Sequence, residues 1–277
     1  MLGVVFALAG CHPAFKPRNY ANPEALFRAS LMEYEHKRWD NAQLGFEQLS
    51  NDLSARDPLL PQVLFYLALT HEKRGDYLLA SQAYQRVSDG YADDSLAPAA
   101  VLGSGRSLQQ MWRKTALDAE QGQKAATTFR MLLATYPAAK EVKEAKERVD
   151  TLDNWFAKKD YDVGMHYLKV RNAPDPAIIY FKDVVSAYPK TATARMAWLR
   201  LHDIYAKKRW KDDAGDVCTE LWKTYPADSE VKLACGEKPP EVKAADTKPD
   251  AAKAGKVPPV KRDTLFANPV ALARPAP

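Results

Sequence analysis

Residues 64–87 read LFYLALTHEKRGDYLLASQAYQRV, and this stretch decides the fold. Leu64, Leu67 and Ala68 share one helical face, Gly75-Asp76-Tyr77 interrupts it, and Ala80, Tyr84 and Val87 line a second helix. Spacings of four and three put Ala80, Tyr84 and Val87 on one side of that helix. Gly75 supplies the backbone angle that ends the first helix, and Tyr77 caps the next groove. The small–ring–aliphatic register recurs at Ala42/Phe46/Leu49, Ala125/Phe129/Leu132 and Ala177/Phe181/Val184. A fifth set, Ala214/Cys218/Leu221, keeps the spacing with a thiol in the ring's place. A small residue lets two helices approach closely, and the ring fills the groove beside it. One set is what any amphipathic helix supplies; five with shared surroundings mark a repeat.

These registers resemble the tetratricopeptide repeat, a helix–turn–helix unit of about 34 residues. The predicted fold is therefore all-α, a superhelix of about five such units over residues 23–235. The first unit has Leu26 and Ser30, then a turn at Arg38-Trp39-Asp40. Later units close on Tyr136-Pro137, Tyr188-Pro189 and Tyr225-Pro226, each at the same offset from the preceding aliphatic. Proline cannot continue a helix and restricts its predecessor, so each Tyr-Pro predicts a sharp end. Segment Arg113–Gly122 reads as an insert separating the helices of unit three. The run Lys140–Lys169 lacks a breaker and reads as one long helix, after which Asp175-Pro176 opens the next. A short helix from Asp228 to Cys235 caps the array.

The 12 glycines are few and no window alternates polar with apolar, so almost no sheet is expected. A net charge of +5 is too mild for a duplex nucleic-acid surface. Residues 238–262 (KPPEVKAADTKPDAAKAGKVPPVKR) carry no apolar periodicity, and such composition cannot offset chain entropy. The whole 236–277 stretch reads as a disordered Pro/Ala/Lys-rich tail. Its one apolar patch, Thr264–Ala273, is either a chance cluster or a short docking motif.

The chain offers few of the residue patterns that carry chemistry. His12, His36, His71, His166 and His202 are scattered, with no pair at metal-ligand spacing, so no metal is assigned. Gly103-Ser104-Gly105-Arg106 lacks the Gly-Lys-Ser/Thr of a phosphate loop, and Gly103 reads better as a close-contact position on a helix. Asp93-Asp94 and Asp212-Asp213 read as turn and helix-start residues. No catalytic residue or cofactor is assigned, and the chain is expected not to be an enzyme. Cys218 and Cys235 lie about equally far on either side of Tyr225-Pro226-Ala227, so antiparallel helices would bring them face to face. A disulfide is expected; the alternative is two separate buried thiols acting as small hydrophobes.

The N-terminal run MLGVVFALAG is too short for a transmembrane helix of about 20 residues. It ends in Leu8-Ala9-Gly10-Cys11, which resembles a bacterial lipobox. That resemblance implies a lipoprotein signal over 1–11, cleaved before a Cys11 carrying acyl chains such as palmitate, with 12–22 as linker. Multiple acyl chains hold firmly where one is marginal. A secretory signal opens with Lys or Arg, and none is present, a departure that a start upstream of Met1 would meet. His12 rather than Asp follows the cysteine, which implies sorting to the outer membrane.

The lipobox, the five units and the Tyr-Pro ends together resemble the BamD family, tetratricopeptide lipoproteins of the outer-membrane β-barrel assembly machine (the Bam complex). The likeness is strongest over 124–226, including Lys158-Lys159-Asp160-Tyr161-Asp162-Val163-Gly164, Tyr188-Pro189-Lys190-Thr191 and Asp203-Ile204-Tyr205-Ala206-Lys207. It implies a non-catalytic scaffold, lipid-anchored on the periplasmic face of the outer membrane. Its implied partners are the periplasmic domains of the barrel-inserting channel, accessory lipoproteins and unfolded outer-membrane proteins. The first helices of the early units would form a peptide groove at Phe27, Leu31, Tyr34, Phe65, Leu69 and Lys73. Channel docking would fall to Tyr205 and to Lys207, Lys208, Arg209 and Trp210, which form an exposed basic-aromatic turn. Relatives often carry a basic residue directly after the tyrosine, where this chain has Ala206. The competing expectation is a tetratricopeptide lipoprotein that organises peptidoglycan synthesis or envelope constriction.

Overall fold

A computed structural model describes residues 15–237; the signal over 1–11 with Cys11, and the tail from residue 238 onward, lie outside the described residues. Eleven α-helices and no strand are found among the described residues. They pair as α1 (Pro23–Glu35) with α2 (Trp39–Asp52), α3 (Leu60–Arg74) with α4 (Tyr77–Gly90), and α5 (Ala97–Met111) with α6 (Glu120–Thr135). Then come α7 (Val142–Lys169) with α8 (Pro174–Ala187), α9 (Ala192–Lys208) with α10 (Lys211–Thr224), and α11 (Ser229–Cys235) as the last turn of the array.

The helix ends have local causes. Asn22 accepts the Ala25 amide at 2.8 Å with Pro23 behind it, which starts α1. Thr191 does the same for α9, from the Ala194 amide at 3.2 Å. Gly75, at φ +84°, ends α3 in the left-handed region that glycine enters without strain. The closing residue of the last four repeats is more uniform than the sequence after it, whereas the first repeat closes on Leu53. Tyr136, Tyr188 and Tyr225 sit at φ −125°, −129° and −131°, and Tyr91, which has no proline after it, sits at −139°. Tyrosine, not proline, is thus the repeating element. The Tyr136 hydroxyl donates to the Ala92 carbonyl at 2.9 Å, and Tyr91 donates to Ala55 at 2.9 Å. Each ring thereby ties its unit to the closing loop of the unit before it.

The opening register is the packing code. Its members in the first four units are 2% exposed or less, and Leu221 of the fifth is fully buried. The rings press onto glycines of neighbouring first helices. A Cβ on Gly103 of α5 would stand 2.5 Å from Tyr84 Cζ of α4, and one on Gly164 of α7 would stand 2.8 Å from Phe181 of α8. Three apolar clusters result, one from the first two units, one around α5 to α7, and one from α7 to α11. Cores divided along the chain are what a repeat array builds, since each unit buries its face on its neighbours. Full burial of such a side chain contributes about 1.5–3 kcal/mol.

Two boundaries differ from expectation. The helix α8 begins at Pro174, not at Pro176, because Pro174 itself takes the first helical position. The segment 113–122 is shorter as an insert than predicted, since α6 starts at Glu120. Trp112 explains its order: the indole is buried, stacked on Phe156 at 4.8 Å, and backed by Gly122. Lys159 of α7 then donates to the carbonyls of Thr115 and Leu117 at 3.2 and 2.9 Å.

Candidate functional site

The predicted groove residues stand on α1 and α3. Phe27, Leu31, Tyr34, Phe65 and Leu69 are half-buried and Lys73 is exposed. Their rings converge on one residue that the sequence did not single out, Tyr66. Its centroid lies 5.9 Å from each of Phe27, Tyr34 and Phe46, and 6.3 Å from Phe65. Offset and edge-on rings at these distances add to simple area burial. Phe27 therefore packs between units one and two, while Phe65 packs within unit two, on Tyr66 and Tyr84. A ring flanked by apolar neighbours on both sides, as Tyr66 is, reads as core in every register, so no spacing pointed to it.

Charged side chains cross from one first helix to the next beside these rings. Glu72 of α3 accepts from the Tyr84 hydroxyl at 2.8 Å and pairs with Arg106 of α5 at 3.4 Å. Arg106 also reaches Glu144 of α7 at 3.9 Å, and Arg148 binds Glu144 at 2.8 Å and Gln109 at 2.9 Å. Burial, with the Glu72 carboxylate adding to it, holds the Tyr84 phenol far above its usual range, so it stays a neutral donor. Burial likewise lowers the pKa of His71, which keeps this imidazole neutral beside Asp76.

At the other end of the array, the turn from α9 to α10 divides the five predicted docking residues by role. Arg209 closes α9 at φ +59°. Arg209 and Lys207 are exposed, with no ion pair among the described residues. Trp210 is 43% exposed. Tyr205 is only 2% exposed, and its ring stacks beneath Trp210 at 5.7 Å, so it has little surface to offer a partner. It supports the turn from inside. Lys208 is also engaged: its ammonium pairs with Asp175 of α8 and lies 4.4 Å from the Trp210 ring centroid. Beside the turn opens a cleft of about 450 Å³ lined by Met165, Leu168, Arg200, Asp203, Ile204 and Lys207.

The far edge brings three helices together. Cys218 of α10 and Cys235 of α11 have Cα atoms 5.6 Å apart and their sulfurs at bonding distance. Arg195 of α9 donates from Nε and Nη2 to the two carboxylate oxygens of Asp228, which caps the start of α11, and Asp228 accepts the Glu230 amide at 2.8 Å and the Val231 amide at 3.2 Å. The Arg195 hydrogen bond, with help from those two amides, draws the Asp228 carboxyl down to about 2.

Paired helices, small–ring contacts and a staggered run of turns define a tetratricopeptide-repeat array, a class whose surfaces serve protein–protein contact. Residues 19–219 match the family described as YfiO, outer membrane lipoprotein, and the chain belongs to this family. Its association with the outer membrane follows. No curated protein matches the sequence. Among solved structures, it is similar to a thermophilic tetratricopeptide-repeat protein of Thermus thermophilus. That match has 17% identity and TM-score 0.34, covering 76% of this chain and 96% of the other. It is also similar to pilF of Pseudomonas aeruginosa, at 14% identity and TM-score 0.35, covering 77% and 81%.

Proposed function

We propose that this chain is a lipid-anchored scaffold that assists assembly and insertion of β-barrel outer-membrane proteins from the periplasmic face. Its membership of the outer membrane lipoprotein family carries the reading. In it, acylated Cys11 holds the array at the membrane, and the C-terminal units dock the periplasmic domains of the barrel-inserting channel. The N-terminal units receive segments of unfolded substrate. The turn of Lys207, Arg209 and Trp210 supports the docking half. It offers two cations with no ion pair among the described residues, and an exposed indole beside a cleft suited to a partner side chain. The Tyr66-centred rings of α1 and α3, with Lys73 at the rim, support the substrate half by offering aromatic edges to an extended peptide.

The test reverses charge at Lys207 and Arg209 together and leaves Lys208 to its Asp175 pair. Like charges set against one another at an interface cost several kcal/mol. Lys207→Glu with Arg209→Glu should therefore lower recovery of the channel's periplasmic domains at least about tenfold. Unchanged recovery removes the turn from the interface. Crosslinking in intact cells from a photoreactive residue at position 209 tests the wider reading. Peptidoglycan synthases as the main product would replace barrel assembly with the wall-organising role.

A further inference from the structure

We infer that the C-terminal edge of the array holds a cation site of two thiolates and one imidazole, available when the Cys218–Cys235 pair is in its dithiol form. The ligand is a soft divalent cation of the zinc type. The ligating atoms of His202, Cys218 and Cys235 all lie within 4.8 Å of one another. Each comes from a different helix, α9, α10 and α11, so tertiary packing alone gathers them. Cys218 is buried and the other two are half-buried, which limits competition from water. The Nδ1 atom of His202 is buried and has no hydrogen-bond partner among the described residues. With the bridge opened to two thiols, an imidazole that already holds one unpartnered nitrogen and stands within 4.8 Å of both sulfurs completes a three-ligand set. Sulfur and imidazole are the donors that zinc selects, and three protein ligands leave the fourth tetrahedral position open.

The site and the bridge exclude each other, and the balance of each step is simple. An external dithiol gives two electrons and two protons to the Cys218–Cys235 bond and is itself oxidised to a disulfide, leaving two thiols. Cation binding then releases those two thiol protons to solvent. An external disulfide reverses the sequence: it takes two electrons from the thiolates and two protons from solvent to become a dithiol, the Cys218–Cys235 bond re-forms, and the cation leaves. The edge formed by α9, α10 and α11 is thus closed by a covalent bond in one state and by a cation in the other.

Cobalt(II) is the probe, because its ligand-field bands report tetrahedral geometry and its charge-transfer band reports thiolate. The full-length chain in detergent is reduced with a phosphine under argon, freed of reductant and titrated with cobalt(II), then with zinc(II). The expected result is both bands at one cobalt per chain, bleached by zinc, and neither band in the oxidised chain. His202→Ala should weaken binding at least about tenfold, the loss that even an outer-shell partner brings. No thiolate band in the reduced chain overturns the site, as does an affinity unchanged in His202→Ala. Zinc-edge X-ray absorption on the unaltered chain decides independently of any variant. Two sulfurs with one imidazole sustain the assignment, and a shell without imidazole ends it.

Discussion

Replacing Gly103 with alanine places a methyl group where the ring of Tyr84 already sits. The new Cβ would meet Cζ, Cε2 and Cε1 of that ring at 2.5, 2.6 and 2.7 Å. Tyr84 has nowhere to go. It is fully buried, its hydroxyl is held by Glu72 at 2.8 Å, and Phe65 packs edge-on against it at 5.6 Å. Overpacking a tight contact costs about 1–3 kcal/mol, and a clash this short belongs in the upper half of that range. Alanine returns roughly 0.8–1 kcal/mol of helix propensity. The net loss is about 1–2 kcal/mol. Gly215 of α10 provides the control, because nothing lies within 4 Å of its added Cβ. There only the propensity gain remains, about 0.5–1 kcal/mol. Thermal unfolding followed by far-UV circular dichroism reads the difference. At about 2–4 °C per kcal/mol for a chain of this size, Gly103→Ala should lower Tm by roughly 2–8 °C. Gly215→Ala should raise it by roughly 1–4 °C. Shifts of the same sign in both variants, or an unchanged Tm for Gly103→Ala, would refute ring-on-glycine packing as the element that joins units two and three.

Other outcomes follow from the far edge and the cores. The Asp228 carboxyl falls from an ordinary 3.8 to about 2 in the folded chain. Its contribution to anchoring α11 is therefore complete above about pH 4 and lost as pH falls toward 2. Protection of the α11 amides, taken relative to the intrinsic exchange rate at each pH, should fall over that window, and Arg195→Gln, which leaves only the two amides on Asp228, should shrink the pH dependence. Mass spectrometry of the unreduced chain should find Cys218 and Cys235 joined. The bridge spans 17 positions, so its reduction should cost about 3 kcal/mol in the chain-entropy view; two free thiols there would dismiss the clasp. Phe129→Ala, at a fully buried ring facing Gly105, should cost about 3–5 kcal/mol in denaturant unfolding, and a loss below about 1 kcal/mol would contradict its place in the core.

Much of the architecture was legible because a tetratricopeptide array is built from contacts close in sequence. Ala80, Tyr84 and Val87 declare their face by spacing alone, and their unit closes on helices adjacent along the chain. The long α7 was legible for want of any breaker. The Tyr-Pro ends were read through proline, whose effect on the backbone is local and strong. Tyr91 was missed because the tyrosine acts through a hydroxyl bond to Ala55, which lies 36 positions away. The start of α8 was missed by two residues because two prolines competed for one capping position.

Sites were legible only as far as their chemistry was local. The sequence by itself determined the helical registers, the repeat count and the position of the basic-aromatic turn, since helix geometry maps spacing directly onto faces. Only tertiary structure decided which side chains of that turn face outward. Tyr205 and Lys208 share its composition, yet one lies under Trp210 and the other pairs with Asp175 on a different helix. Tertiary structure also decided that the rings of the first two units meet at Tyr66, and that His202 comes within 4.8 Å of both cysteines. Those meetings depend on the angle and separation at which helices pack. Spacing along one helix carries no record of either.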